Sequence, residues 1–293
     1  MDSIDRVNFP PDPNPHPLKF TLPAGACDVH FHVFGPPHII SYSENRRYTP
    51  PAAPLEHYIA LMDQLGIDRG VMVHPSVHAD DLAVTYDTLR RASDRLRGMI
   101  RSDPKMTPAD YTDLDRIGVR GLRFNFIEEH GGVFNRAEFA AIGQLAATAN
   151  WCVCVHADGS TLAEYAEELR ACPAPVLIDH MGRVDGRKGI EQPAFQAILQ
   201  LMDEPNLWIK ISGADRMMSR GSTFEQVVPF ARSLVARAPD RVVWGTDWPH
   251  SMIFKPNAMP NDGDLVNMLL DLVPDEAQRK HVLVDNAARL FRF

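Results

Sequence analysis

Short apolar runs rich in β-branched residues alternate with longer runs in which apolar positions recur at helical spacing, and the alternation persists along nearly the whole chain. The short runs predict strands at Cys27–Val33, Gly70–His74, Leu96–Ile100, Val119–Phe126, Trp151–His156, Val176–His180, Leu207–Ser212 and Arg241–Thr246. The amphipathic runs predict helices over Leu55–Leu65, Asp81–Ala92, Pro108–Ile117, Arg136–Ala149, Thr161–Arg170, Pro193–Met202, Phe224–Ala236 and Leu265–Leu272, with a C-terminal helix near Asp275–Leu290. Punctuation supports several boundaries. Thr107-Pro108 puts proline in the first turn of a helix, and Gly66 and Gly118 follow helices where left-handed caps occur.

The predicted strands are apolar throughout rather than alternating, which suits a parallel sheet buried on both faces. Eight such β–α units predict an α/β fold of the (β/α)8 TIM-barrel type. A doubly wound open sheet is the rival, but its GxGxxG fingerprint is absent. At 293 residues the chain fits one barrel as a single domain over 26–293, behind a polar, proline-rich extension at 1–25.

Composition narrows the partners. A formal net charge of −8 weighs against a nucleic-acid partner, so attraction for an anionic substrate must come from a few local arginines. The N-terminus lacks an apolar segment behind a basic start, and no run approaches the roughly 18 apolar residues a membrane helix needs. Neither a secretory signal nor a membrane span is expected. The four cysteines, Cys27, Cys152, Cys154 and Cys172, form no CxxC pair and read as reduced thiols in a cytoplasm.

The chemistry gathers where the apolar runs stop. On a strand His30 and His32 share a face, two positions apart. Strand two ends near His74 and Ser76, strand four near Arg123 and Asn125, and strand five near His156 and Asp158. Strand six ends at Asp179 and His180, strand seven at Lys210 and Ser212, and strand eight at Asp247 with His250 behind it. In a (β/α)8 barrel the loops after the strands build the active-site face, so these residues are read as a site. Two chemistries suit them. His30, His32, His156 and Asp247 could hold a divalent cation whose bound water loses a proton to His180 or Asp247. Without a metal, Asp247 would act as base on a plain water while the histidines stabilise the carbonyl oxygen.

Four motifs in order resemble the amidohydrolase superfamily: the His-x-His strand, Gly121-Leu122-Arg123-Phe124-Asn125-Phe126, Ile178-Asp179-His180-Met181-Gly182-Arg183 and Trp244-Gly245-Thr246-Asp247-Trp248-Pro249-His250. Within it they are most similar to the branch of the 2-pyrone-4,6-dicarboxylate hydrolases and related lactone hydrolases, from about Ala26 to Phe291. The resemblance implies a barrel that hydrolyses a cyclic ester bearing acidic groups, in aromatic-compound catabolism. It implies Asp247 as general base, His30, His32 and His180 as carbonyl-polarising groups, and Tyr48, Ser76, His78, Arg123 and Arg216 as substrate contacts. Arginine suits that task because its planar fork bonds a carboxylate in bidentate fashion.

The chain departs from the pyrone hydrolases twice. His156 stands where they carry tyrosine, which completes the superfamily's set of His-x-His, strand-five His, strand-six His and strand-eight Asp. A bound metal is therefore expected, and with no lysine ending strand four to bridge two ions the count is one, zinc first in line. At Ile127-Glu128-Glu129-His130 the pyrone hydrolases supply an arginine, so a carboxylated or sulfonated muconolactone fits better than the pyrone dicarboxylate. Two plainer assignments stay open: Arg123 paired with Asp179 or Glu129, and Arg216 exposed beside Asp215. Lactone isomerisation, metal-dependent non-oxidative decarboxylation and a non-catalytic barrel that binds an anion are the competing functions. The oligomeric state is left open.

Overall fold

The computed structural model describes residues 6–35, 39–101, 106–127, 134–217, 224–255 and 258–293. Eight strands form one parallel sheet in the order β1 to β8, with helices between successive strands, the (β/α)8 barrel expected from the pattern. The chain divides into two compact units, residues 1–119 with 246–267 and residues 120–245 with 268–293.

The first unit holds β1 (Cys27–Phe31), β2 (Arg69–Val73) and β3 (Leu96–Arg101), paired in parallel with Cys27 opposite Arg69 and Gly70 opposite Leu96. Its helices are α1 (Leu55–Leu65), α2 (Ala83–Arg91) and α3 (Pro108–Arg116), and α10 (Asp262–Asn267) lies far along the chain. Helix α1 ends where Gly66 takes a left-handed φ of 73°, a conformation that costs glycine nothing. Helix α3 starts on a reciprocal cap. Asp110 accepts the Thr107 N–H at 2.7 Å while its own N–H donates to the Thr107 hydroxyl. Val29 and Phe31 of β1 are buried, and the Tyr58 ring of α1 stacks on Phe31 at 3.6 Å. The extension is tied down within this unit: the Asn8 N–H donates to the Thr49 carbonyl and the Lys19 N–H to the Asn267 side chain.

The second unit carries β4 (Val119–Asn125), β5 (Cys152–His156), β6 (Val176–Ile178), β7 (Leu207–Ile211) and β8 (Val242–Trp244), each parallel to the next. Around them run α4 (Arg136–Ala149), α5 (Gly159–Glu164), α6 (Ala166–Arg170), α7 (Pro193–Leu201), α8 (Ala214–Met217), α9 (Val228–Arg237), α11 (Leu269–Leu272), α12 (Glu276–Lys280) and α13 (Asn286–Phe291). The single helix expected over Thr161–Arg170 is two, because Tyr165 leaves helical geometry at φ −104°, ψ 25°. Strand β6 stops at Ile178, two residues early. From His180 to Arg183 every φ is positive, at 50°, 51°, 66° and 48°, and that left-handed run cannot continue a strand.

Candidate active site

Within the first unit Asp28 and His30 of β1 and His32 just past its end are all buried, with a register shift in the β1–β2 pairing between Asp28 and Phe31. The segment after β8 comes alongside β1, its Asp247 N–H donating to the His30 carbonyl and the His32 N–H donating to the Trp248 carbonyl, both at 2.8 Å. This register brings the Asp247 carboxylate to the two imidazoles. His30 Nε2 stands 3.4 Å and His32 Nε2 3.5 Å from the same oxygen, Asp247 Oδ1. Asp247 holds a left-handed φ of 66°, a conformation aspartate tolerates better than most residues and one that clusters at functional positions.

The tautomer of His32 decides what this cluster wants. Its Nδ1 lies 2.8 Å from the Val73 carbonyl, which can only accept, so Nδ1 carries the proton and Nε2 keeps its lone pair. That lone pair faces a carboxylate oxygen, both side chains buried. Two acceptors at this distance need a proton or a cation between them. The donor set, imidazole and carboxylate, is the one zinc takes at about 2 Å, so the residues fit a divalent ion.

Asp28 organises the cluster from behind. Its Oδ1 accepts the N–H of His30 and of Thr246, each at 3.0 Å, and its Oδ2 accepts the hydroxyls of Thr246 at 2.6 Å and Tyr58 at 3.0 Å. Burial pushes the Asp28 carboxyl up to about 6, against the pull of those four donors. Asp28 lies inside the predicted strand Cys27–Val33, where no role was expected of it. The signal was present: it continues the same two-residue period as the histidines.

Of the expected substrate contacts in this unit, Tyr48 and His78 are buried and Ser76 is exposed. Ser76 and His78 open and close the single turn that follows β2, and His78 Nδ1 lies 3.0 Å from the Ser41 carbonyl. Burial holds the His78 imidazole below its ordinary range.

The second unit presents a different arrangement. His180 Nδ1 bonds the Ser212 hydroxyl at 2.9 Å, and the His156 ring meets the His180 ring edge-on at 5.3 Å. Gly213 makes this placement possible: at φ 61° a Cβ there would lie 2.7 Å from His180 Nδ1. His156 is buried at the end of β5, and burial, aided by the Arg123 cation, holds its imidazole well below the usual range, so it stays neutral. Its Nε2 faces Arg183 Nη1 at 3.5 Å, a long contact, while Arg183 Nε donates to Asp158 at 2.9 Å. His156, expected as a metal ligand, thus has one ring nitrogen facing a guanidinium and the other, Nδ1, buried.

Arg123 donates from Nε and Nη2 to Asp179 Oδ2 at 3.1 and 3.0 Å, the pairing the sequence left open. Asp179 also accepts from the buried Lys210 ammonium at 2.8 Å and from the Cys154 thiol at 3.1 Å. Lys210 and Asp179 were placed at strand ends by the sequence but not joined. Arg216 sits half-buried on α8. The departure at Glu128-Glu129-His130 lies outside the described residues, as does any account of the Asp215 side chain.

A family model described as amidohydrolase matches residues 27–293. The chain is 46% identical over 277 residues to a 4-sulfomuconolactone hydrolase of Hydrogenophaga intermedia, an alignment covering 94% of this chain and 91% of that protein. A crystal structure of an Agrobacterium tumefaciens protein without ligand is similar at a TM-score of 0.84 and 31% identity, over 94% of this chain and 99% of that one. A probable 2-pyrone-4,6-dicarboxylic acid hydrolase from Acinetobacter baumannii, crystallised with citric acid bound, is similar at 0.78 and 25% identity, over 92% of this chain and 100% of that one. Among the described residues no helix is long and apolar enough to cross a membrane.

Proposed function

The chain belongs to the amidohydrolase family, and from that footing we propose that it opens a carboxylated or sulfonated lactone of the muconolactone type, hydrolysing the ring ester during aromatic-compound catabolism. Its four free, buried cysteines suit a cytoplasmic setting. The observation that carries the mechanism is the pair of imidazole Nε2 atoms facing one oxygen of Asp247.

Asp247 takes the proton of the attacking water, whose oxygen adds to the ring carbonyl carbon. His30, and His32 once its Nε2 carries a proton or faces a cation, stabilise the charge that develops on the carbonyl oxygen, held in place by the backbone register and by the Val73 carbonyl. The acyl–oxygen bond then breaks, and His180, its Nδ1 fixed by Ser212, gives a proton to the departing ring oxygen; the proton that Asp247 took from water passes to solvent and His180 is reprotonated from it, which closes the balance. Water is consumed: hydroxyl goes to the acyl carbon and hydrogen to the ring oxygen. Tyr48, Ser76, His78, Arg123 and Arg216 are assigned to the substrate's ring and acidic groups, with Arg123 oriented by Asp179.

A single divalent ion, zinc for its match to these donors, would be held by His30, His32 and Asp247 and would supply Lewis-acid polarisation of the carbonyl and of water. His156, expected as a further ligand, is assigned instead to the substrate side, because its Nε2 faces Arg183.

Hydrolysis of a carboxylated muconolactone in 18O-labelled water tests the reading. One labelled oxygen per product acid supports it, whereas an unlabelled isomer or released carbon dioxide overturns it. Asp247→Asn is expected to lower kcat by about 10²- to 10⁴-fold with the circular dichroism spectrum unchanged. Metal content per chain, measured on protein purified without chelator, is expected near one and to fall in His32→Ala.

A further inference from the structure

Arg183 is an uncommon arginine. It ends a run of four residues with positive φ, His180 at 50°, Met181 at 51°, Gly182 at 66° and Arg183 at 48°, of which only one is glycine. Left-handed backbone is unfavourable for each of the other three, and such strain persists only where the surrounding structure over-determines it. The run has a geometric result: it turns both His180 and Arg183 toward His156 in the same unit.

The guanidinium is mostly covered, its side chain 19% exposed, and it is held at two corners. Nε donates to Asp158 Oδ1 at 2.9 Å, and Nη1 faces His156 Nε2 at 3.5 Å. The hold on Asp158 is single-pronged, to a carboxylate whose own side chain is 50% exposed, and a half-solvated pair of this kind stabilises a fold weakly. His156 brings no charge. A mostly covered cation between a half-solvated carboxylate and a neutral ring is under-compensated, which an anion at the third corner would correct. Nη2 meets no acceptor among the described residues.

We infer that Arg183, pinned by Asp158 and His156, binds an acidic group of the substrate, a carboxylate or sulfonate, through its Nη2 edge and so determines specificity for charged lactones. The inference rests on the proposed lactone hydrolysis for the identity of the ligand, but the anion site can be read without turnover. His156 then serves two ends: its Nε2 orients the guanidinium, and its ring, edge-on to His180, sets the bound acidic group beside the residue that returns the proton. A sulfonate or carboxylate has the trigonal or planar oxygen pattern that a guanidinium edge matches.

The test uses citrate as probe, titrated by calorimetry into the full-length protein and into Arg183→Gln, Arg183→Lys and Arg187→Gln. Arg187 is the charge control, an exposed arginine paired with Asp185. Loss of one charge-assisted contact is expected to weaken citrate about 10- to 100-fold in Arg183→Gln, with partial recovery in Arg183→Lys and no change in Arg187→Gln. In the kinetic arm, Arg183→Gln is expected to raise KM for a carboxylated lactone by a similar factor with kcat changed less than about threefold, and to leave KM for an uncharged butenolide unmoved. Equal citrate affinity in the wild type and in Arg183→Gln of unaltered melting temperature would overturn the inference, as would equal KM effects on charged and uncharged lactones. If no lactone is hydrolysed while the citrate arm behaves as expected, the lactonase reading fails and the anion site stands.

Discussion

Asp179→Asn strands a buried ammonium. The Asp179 carboxylate accepts Lys210 Nζ at 2.8 Å, two Arg123 nitrogens at 3.1 and 3.0 Å, and the Cys154 thiol at 3.1 Å. Both Asp179 and Lys210 are 0% exposed, so water cannot replace a lost partner. Removing one member of a buried ion pair leaves the other charge uncompensated, at about 3–5 kcal/mol. For a chain of this length roughly 2–3 °C of Tm accompanies each kcal/mol, so a fall of about 6–15 °C is expected. Lys210→Met removes the stranded charge. Added to Asp179→Asn it is expected to recover stability, giving a coupling energy of about 2 kcal/mol or more in a double-mutant cycle. Urea unfolding at pH 7, followed by circular dichroism, measures all four proteins. A loss below about 1 kcal/mol in Asp179→Asn, or strict additivity in the cycle, would refute the argument that this carboxylate neutralises the lysine.

Two further outcomes follow from the geometry. His74 is buried with Nε2 toward the Ala79 carbonyl and Nδ1 toward the Thr85 hydroxyl, and burial lowers its imidazole to about 4. A histidine whose folded value is depressed contributes its stability above the unfolded value near 6.5 and loses it as pH falls toward 4, here about 3 kcal/mol. His74→Gln should therefore unfold with a shallower pH dependence between pH 7 and 4 in urea titrations; an unchanged slope would show that His74 is not the group responsible. Gly213→Ala meets His180 Nδ1 at 2.7 Å and must hold φ near 61°, so it is expected to reduce kcat at least about 10-fold by displacing His180 and to lower stability by about 1–3 kcal/mol. Steady-state kinetics and a melt check both, and wild-type kcat would mean that His180 needs no such placement.

Much of this was legible because period and punctuation are local signals. Helices α1 and α4 begin and end at the residues the pattern predicts. His30 and His32 come together as expected, although β1 stops at Phe31, short of the predicted Val33, and slips register after Asp28; the Trp248 carbonyl holds the His32 N–H instead. Asp28 escaped because an aspartate inside an apolar run looks like an exception until its four donors are seen, two of them 218 positions away. The end of β6 was overrun because nothing in Asp-His-Met-Gly-Arg announces three non-glycine residues with positive φ; tertiary packing imposes them. The helix over Leu265–Leu272 instead begins at Asp262 and breaks at Met268, and the C-terminal one includes a π turn at His281–Asp285. Amphipathic spacing tolerates such slips, since one residue moves an apolar stripe by only 100°. His156 was read as a metal ligand from its place at the end of strand five and from the ligand set it completes. Which way an imidazole lone pair points depends on its neighbours in space, here Arg183.

The long reach of Asp28 bears on how the protein is made. The donors from Thr246 arrive 218 residues after β1 has left the ribosome, which at about 5–20 residues per second is a delay of about 10–45 s. Until then β1 carries a carboxylate lacking half its hydrogen bonds, and its His-x-His pair lacks Asp247. The N-terminal strands must therefore wait for the end of the chain before Asp28 has all four donors. Truncation anywhere before Thr246 leaves a fragment that can neither finish its first unit nor bring Asp247 to its two histidines.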